Sequence, residues 1–431
     1  MKGRVVSFML TAVMLAGGIA GSGVNLVSAE GETPKKIVHM LTLWNEDTLG
    51  TKVIKDLTTE YQRDHPEFEL EIEVVAATDI VQKLNVLAAS NELPDIWLSY
   101  SNSQLRTLIE QGWVANLDEE LEVSKYISDV VRDGLMVLDS TDALYEFPSG
   151  NNIEGIWYNK DIFEENGFEI PKTLEEMMEI ADACIEKGIQ PFSCAGKEQW
   201  PLSRLIGSYL NRKEGNDYLI KINKGEIDFD DPSMIEAFQW IQDMGNKGYF
   251  GEGVATIDEN VAQDVFLQGR AAMFYMGSWA TEQYNNPEVN KLGENIGFFG
   301  FPELQDGKTS QNSFIQNFGT TFCFNAKTFD DQMKDWVDYI FSRYGDYALE
   351  NLGVISGYNM SNNLDVEIPY YTKMVMENIE KSEGAGMWPE YALPQKTRDR
   401  YLADVQMLVL GEMTPEDVAA EITDSMKSKI K

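Results

Sequence analysis

Two histidines, His39 and His65, are the whole imidazole supply of this 431-residue chain, and both fall before residue 70. Neither belongs to an HExxH segment, neither stands beside a serine-elbow sequence, and Cys184, Cys194 and Cys323 show no metal-ligand spacing. Zinc chemistry and triad hydrolysis are thereby disfavoured. Carboxylates present the opposite problem. With 71 acidic residues, adjacent pairs such as Glu46–Asp47 or Glu119–Glu120 arise by chance and do not identify the acid and base of a glycosidase. The remaining candidates are aromatic and amide-bearing residues in turn-like stretches: Trp44-Asn45-Glu46-Asp47, Ser99-Tyr100, Asn151-Asn152, Trp200-Pro201, Ser278-Trp279 and Trp388-Pro389. Their rings can stack on apolar faces, and their amides and carboxylates can exchange hydrogen bonds with hydroxyls.

Composition bounds what such residues could serve. A net charge of −36 repels phosphate backbones and anionic lipid, which argues against nucleic acid as a partner. A hydrophobic fraction of 43%, with 20 Phe, 18 Tyr and 9 Trp, supplies ample surface to bury. Residues 1–29 read as a signal peptide: Lys2 and Arg4 open it, Val5 to Ile19 is apolar, and Val27-Ser28-Ala29 offers a cleavage site. Leu15-Ala16-Gly17 begins a lipoprotein box, but Gly18 stands where the acylated cysteine would be. The expected location is therefore exported: cell surface, extracellular or periplasmic. Residues 30–431 exceed one ordinary core, so two lobes are expected. A chain of this size needs no disulfide, and buried free thiols are the default, with a Cys184–Cys194 bridge the alternative.

The elements that must carry these residues follow from periodicity. Lys36 to Leu43 reads as a strand, Thr51 to His65 as an amphipathic helix, and Phe68 to Val74 as a half-exposed strand. Asp79 to Ala89 is a second helix, and Asp95 to Leu98 a short buried strand. This alternation predicts a parallel α/β sheet, in which ligands gather at the carboxyl ends of strands. Trp44 and Tyr100 fall at such ends. A second α/β pattern starts at Gly155 to Tyr158, and Thr173 caps a helix from Glu175 to Lys187. Ala271 to Met276, Ile296 to Phe301 and Phe322 to Phe324 read as further strands, and helices dominate after Asp331. Trp97, Trp113, Trp157, Trp240 and Trp336 lie on strands or helical faces and read as core.

Several segments together resemble the extracellular solute-binding proteins of ABC importers, in the carbohydrate-binding, maltodextrin-receptor-like branch (family 1). They are LTLWN at residues 41–45, DIVQKLNVLAASNELPDIW at 79–97, QGWV with Leu117-Asp118, IWYNKDIF at 156–163 with PKT at 171–173, FLQGRAAM at 266–273 leading to Gly277-Ser278-Trp279, and GEMTPE at 411–416. The resemblance implies a periplasmic-binding-protein-like fold: two α/β lobes with a hinge and an interlobe cleft. It places 30–148 and 301–330 in the first lobe, and 149–300 and 331–431 in the second. Crossovers are expected near 145–151, 300–302 and 327–335.

The implied function is non-catalytic. A substrate-binding receptor would capture a sugar or oligosaccharide in the cleft and deliver it, as a monomer without cofactors, to the permease subunits of an ABC transporter. The alternatives are a secreted polysaccharide-degrading enzyme and a surface adhesin. A sugar presents C–H faces and a rim of hydroxyls, so its site needs aromatic platforms edged by polar groups. The expected ligand-binding residues are Trp44, Asn45, Asp47, Tyr100, Asn151, Asn152, Trp200, Trp279 and Trp388. Trp279 matches the family's stacking position after its buried strand, Trp388 a second stacking position, and Asn151-Asn152 the polar residues that follow the first crossover.

Overall fold

The computed structural model describes residues 35–76, 79–361, 364–383 and 386–427, so the expected signal peptide lies outside the described residues. Ten strands are described: β1 Lys36–Thr42, β2 Phe68–Val74, β3 Ile96–Ser99, β4 Glu146–Phe147, β5 Asn152–Asn159, β6 Gln190–Ser193, β7 Ala271–Gly277, β8 Ile296–Phe299, β9 Gln316–Asn317 and β10 Thr321–Phe324. They form two sheets. The first runs β2-β1-β3-β10-β4, and the second β6-β7-β5-β8 with β9 paired to β5. β1 pairs in parallel with β2 (Lys36 opposite Phe68) and with β3 (Met40 opposite Ile96), as the strand–helix–strand pattern predicts. β10 then returns antiparallel to β3 and β4. In the second sheet β6 and β7 are parallel, while β5 runs antiparallel to β7 and β8.

Helix boundaries follow local chemistry. Leu174–Glu186 opens on a capping box, in which the Thr173 side chain accepts from the Glu176 N–H and Glu176 reaches back to the backbone before it. Trp97, Trp157 and Trp336 are fully buried as expected. Trp240 and Trp113 are only half-buried: Trp240 stacks on Tyr209 at 5.4 Å, and Lys327 lies 4.0 Å over the Trp113 ring. All three cysteines are buried and free.

At the first crossover the chain passes from the first sheet to the second through 148–151, between β4 and β5. The other two differ from expectation. Residues 301–317 stay with the second lobe because Arg212, buried in the helix Trp200–Glu214, donates to the carbonyls of Phe301 (2.8 Å), Ser313 (2.8 Å) and Gln311 (3.3 Å). A buried guanidinium needs its donors filled, and this segment fills them. The chain therefore crosses at 318–320. Residues 331–352, expected in the second lobe, belong with the first. Trp336 stacks on Phe68 at 5.6 Å and donates to Thr58 (3.0 Å), while Tyr61 and Tyr126 donate to Asp335 (2.7 Å) and Asp338 (2.6 Å). Return to the second lobe is complete by Tyr370, whose helix Tyr370–Glu380 packs beside Trp157 and Tyr284 through Tyr371.

Candidate functional site

The densest convergence of chemically capable side chains lies at the start of the helix Trp200–Glu214. Pro201 fixes its first turn, and Gln199 before it holds φ +65° and ψ −37°, a strained backbone for a residue with a side chain. One turn on from Trp200, Arg204 occupies the same helix face, and its guanidinium carbon lies 5.0 Å from the Trp200 ring centroid and 4.8 Å from that of Trp388. Trp200 meets Trp279 edge to face at 5.8 Å. Trp279 stands where it does because Gly277 has no side chain: a β-carbon there would collide with the indole. Gly207 performs the same service for Trp388, which a β-carbon would approach to 3.0 Å.

Arg204 is buried and ion-paired twice. Nε donates to Glu390 at 2.9 Å, and Nη1 donates to Glu154 on β5. Glu154 also accepts from Tyr275 (3.1 Å) and from Asn317 on β9 (3.0 Å). Burial works against the charge on Arg204, but Glu154, Tyr391 and Glu390 outweigh it and hold its pKa above the ordinary value. Burial raises Glu154, and the Arg204 charge opposes the rise.

Two further carboxylates flank the indoles. Burial raises Glu259, opposed by a hydrogen bond with Trp279, while the charge of Glu198 adds to the rise. From the first lobe, Tyr100 follows β3 and stands in the field of Arg398, Arg204 and Glu259, all carried by second-lobe elements; burial raises its phenol and the two arginines oppose it. Tyr100 and Arg398 act in turn on Tyr391.

Four buried polar atoms lack a hydrogen-bond partner: they lie on Trp388, on Arg398 and Glu198, which act on Tyr391 and Glu259, and on Asn151 in the first crossover. Trp388 Nε1 and Arg398 Nε are donors, and Glu198 Oε2 and Asn151 Oδ1 are acceptors. Unfilled buried polar atoms cost about 1–3 kcal/mol each, so such a set marks a place where a partner belongs. Two surface hollows, of about 260 and 320 Å³, lie elsewhere. The first is lined by Glu214 and Lys308, roughly 20 Å from Trp200 at the other end of the same helix. Neither presents a tryptophan.

The sequence from 46 to 343 matches the family of bacterial extracellular solute-binding proteins. The chain belongs to that family. An uncharacterized ABC transporter extracellular-binding protein of Pyrococcus horikoshii is 22% identical over 451 aligned residues, spanning 99% of this chain and 95% of its own. The galactooligosaccharide-binding protein of Bacillus subtilis is 25% identical over 281 residues, covering 64% of this chain and 62% of its own. A solved chitin oligosaccharide binding protein shares the fold with a TM-score of 0.80 at 20% identity, covering 91% of this chain and 98% of that one. The two sheets joined by crossing strands are thus the two-lobe architecture of solute-binding proteins.

Within this solute-binding protein, the residues expected from sequence divide into three groups. Trp200, Trp279, Trp388 and Tyr100 converge around Arg204. Trp388, expected in an exposed turn, is only 1% exposed, because Arg204, Gly207 and the loop to Tyr391 enclose it. Asn151 ends the first crossover and Asn152 begins β5, where its side chain accepts from Ser278 at 3.1 Å, next to Trp279. Trp44, Asn45 and Asp47 stand apart at the end of β1 and are exposed; Trp44 is 39% exposed and donates to Thr320 in the second crossover at 2.9 Å. Sequence reasoning missed Glu154, Arg204, Glu390, Tyr391 and Arg398. A signal existed for the first two, since each is a single charge inside an apolar run, NIEGIWY and PLSRLIGSYL.

Proposed function

We propose that this solute-binding protein is the substrate receptor of an ABC sugar importer, holding a sugar or short oligosaccharide between its lobes and delivering it to the permease. The observation that carries the reading is the pairing of indole platforms with unfilled polar atoms. Trp200 and Trp279 offer flat apolar faces, and Trp388 Nε1, Arg398 Nε and Glu198 Oε2 are unfilled on residues that meet or act on the same cluster. A ring of hydroxyls, each able to donate and accept, satisfies such a mixed set without carrying charge. Tyr100, Trp200, Trp279, Asn151 and Arg398 are the proposed contacts. Trp388 and Asn152 position them, and Trp44, Asn45 and Asp47 form the rim on the first lobe. The names of the relatives support a carbohydrate ligand. Contacts on both lobes favour closure because only the closed form makes both sets. The closed shape, exported to the cell surface or periplasm, is what the permease reads.

Titration calorimetry across mono- and oligosaccharides, with product analysis and small-angle scattering, tests the proposal. Binding without shorter products, together with ligand-dependent compaction, is the expected result. A micromolar ligand corresponds to about 8 kcal/mol, within reach of two stacked rings and several hydrogen bonds. Release of shorter sugars, or no binding by any sugar, overturns it.

A further inference from the structure

The lobes also meet away from the crossovers and from Arg204. Ser140 follows the helix Asp129–Asp139 of the first lobe, and Asn223 ends the helix Tyr218–Asn223 of the second. The Ser140 hydroxyl donates to Asn223 Oδ1 at 3.1 Å. Asn223 Nδ2 donates in turn to the carbonyl of Ala392 at 3.1 Å. A carbonyl only accepts, so the Ala392 bond fixes which way the amide faces and leaves its oxygen to the serine. Ala392 closes the short helix Pro389–Ala392, which follows Trp388 and carries Glu390 and Tyr391 beside Arg204. A hydroxyl of the first lobe thus reaches, through one amide, the segment that flanks the proposed site.

The backbone at Ser140 supplies a second observation. It holds φ +56° and ψ +44°, a left-handed conformation that costs a residue with a side chain more than it costs glycine. Elsewhere this chain ends helices in that conformation with glycine, as at Gly167 after Lys160–Asn166 and Gly353 after Tyr344–Leu352. Ending the helix needs only the backbone: the N–H groups of Ser140 and Thr141 reach the carbonyls of Val137 (3.2 Å) and Met136 (3.0 Å). Glycine would serve that end better, whereas the serine supplies the hydroxyl that bonds Asn223.

We propose that Ser140 and Asn223 are a positioning pair, an interlobe catch that holds the closed form and steadies the Trp388 segment within it. Rotation of one lobe away from the other separates Ser140 from Asn223, so the bond counts for the closed form alone. Asn223 keeps its tether to Ala392 in both forms, which leaves its oxygen aimed at the first lobe before closure. The catch needs no ligand. It adds to a ligand's own contacts and slows release more than capture. It rests on the two-lobe fold and goes beyond the sugar reading.

The experiment is double electron–electron resonance on the ligand-free full chain, with spin labels at Val130→Cys and Ile185→Cys, exposed positions on the first and second lobes. The native cysteines Cys184, Cys194 and Cys323 are buried and stay unlabelled. The labelled parent should show a short and a long distance, for the closed and open forms. Ser140→Ala should raise the long-to-short ratio about threefold, as suits one exposed hydrogen bond. Ser140→Gly relieves the backbone and should keep or raise Tm, yet open as far as Ser140→Ala does. In an Asn223→Ala background Ser140→Ala should add nothing, since the bond is already gone. A Ser140→Gly protein as closed as the parent makes the residue a helix end only and overturns the catch. Unchanged distances in every variant, or additive effects of the two alanines, overturn it as well. A sugar panel without binding removes the receptor reading but not the catch, which these distances decide alone.

Discussion

Buried acids are made tolerable in two ways in this protein. In the second lobe, Glu154 and Glu390 share the guanidinium of Arg204, which stays charged across the whole physiological range and is flanked by Trp200 and Trp388. In the first lobe, Asp139 and Glu146 have no ion pair among the described residues; the hydroxyls of Ser101 and Thr321 donate to Glu146, and burial raises both acids. The first solution fixes aromatic geometry beside the proposed ligand and costs strongly if one partner is removed. The second is as well buried but depends on solvent pH. The same residue type is thus buried in both lobes, distinguished by whether a cation or neutral hydroxyl donors supply the compensation.

Removing the cation is the severest way to break this contrast. Arg204→Ala leaves Glu154 and Glu390 buried without their shared partner and should cost about 3–5 kcal/mol in urea unfolding at neutral pH. A cost below about 1 kcal/mol would show that the ion pairs do not organise this lobe. Next in size is the pH dependence of stability. Glu146, at about 4.5 when unfolded and about 7 when folded, keeps a proton that the unfolded chain has released. Between those values stability should fall as pH rises, by about 1 kcal/mol per pH unit, and level off above pH 7. Glu146→Gln should flatten the slope, and Arg204 variants should leave it in place.

Trp279→Ala sharpens the functional side of the comparison. Calorimetry should show about 1–3 kcal/mol of lost sugar affinity with the fold retained. Unchanged affinity with a large fall in Tm would assign Trp279 to the core. The smallest effect is expected at the rim: Trp44→Phe loses only the hydrogen bond to Thr320, worth about 1 kcal/mol, and should shift Tm by a few degrees at most.

Much of the fold was legible because strand and helix periods are local properties. β1, β2 and β3 and the helices between them follow directly from alternating and 3.6-residue patterns, and Thr173 with Glu176 announces its own helix start. The lobe boundaries were not legible. Whether 301–317 sits on one lobe or the other depends on the carbonyl demand of Arg212, roughly a hundred residues away in sequence. The same holds for 331–352, which is anchored by Trp336 and by tyrosine–aspartate hydrogen bonds to the first lobe.

The candidate site divides in the same manner. Turn-borne tryptophans could be read as ring platforms, and four of the nine residues expected from sequence meet around one centre. That Trp388 would be enclosed, and that its enclosing partner would be Arg204, required the loop of 386–392 to fold over the helix Trp200–Glu214. The amino-acid order alone determined two sheets, their parallel first strands, an acidic surface and a supply of indoles at element ends, since each depends on neighbours within a turn or two. Tertiary structure decided which acids share a guanidinium and which are buried without a cation. Those choices are made between residues far apart in the chain, where only burial and distance set the electrostatic balance.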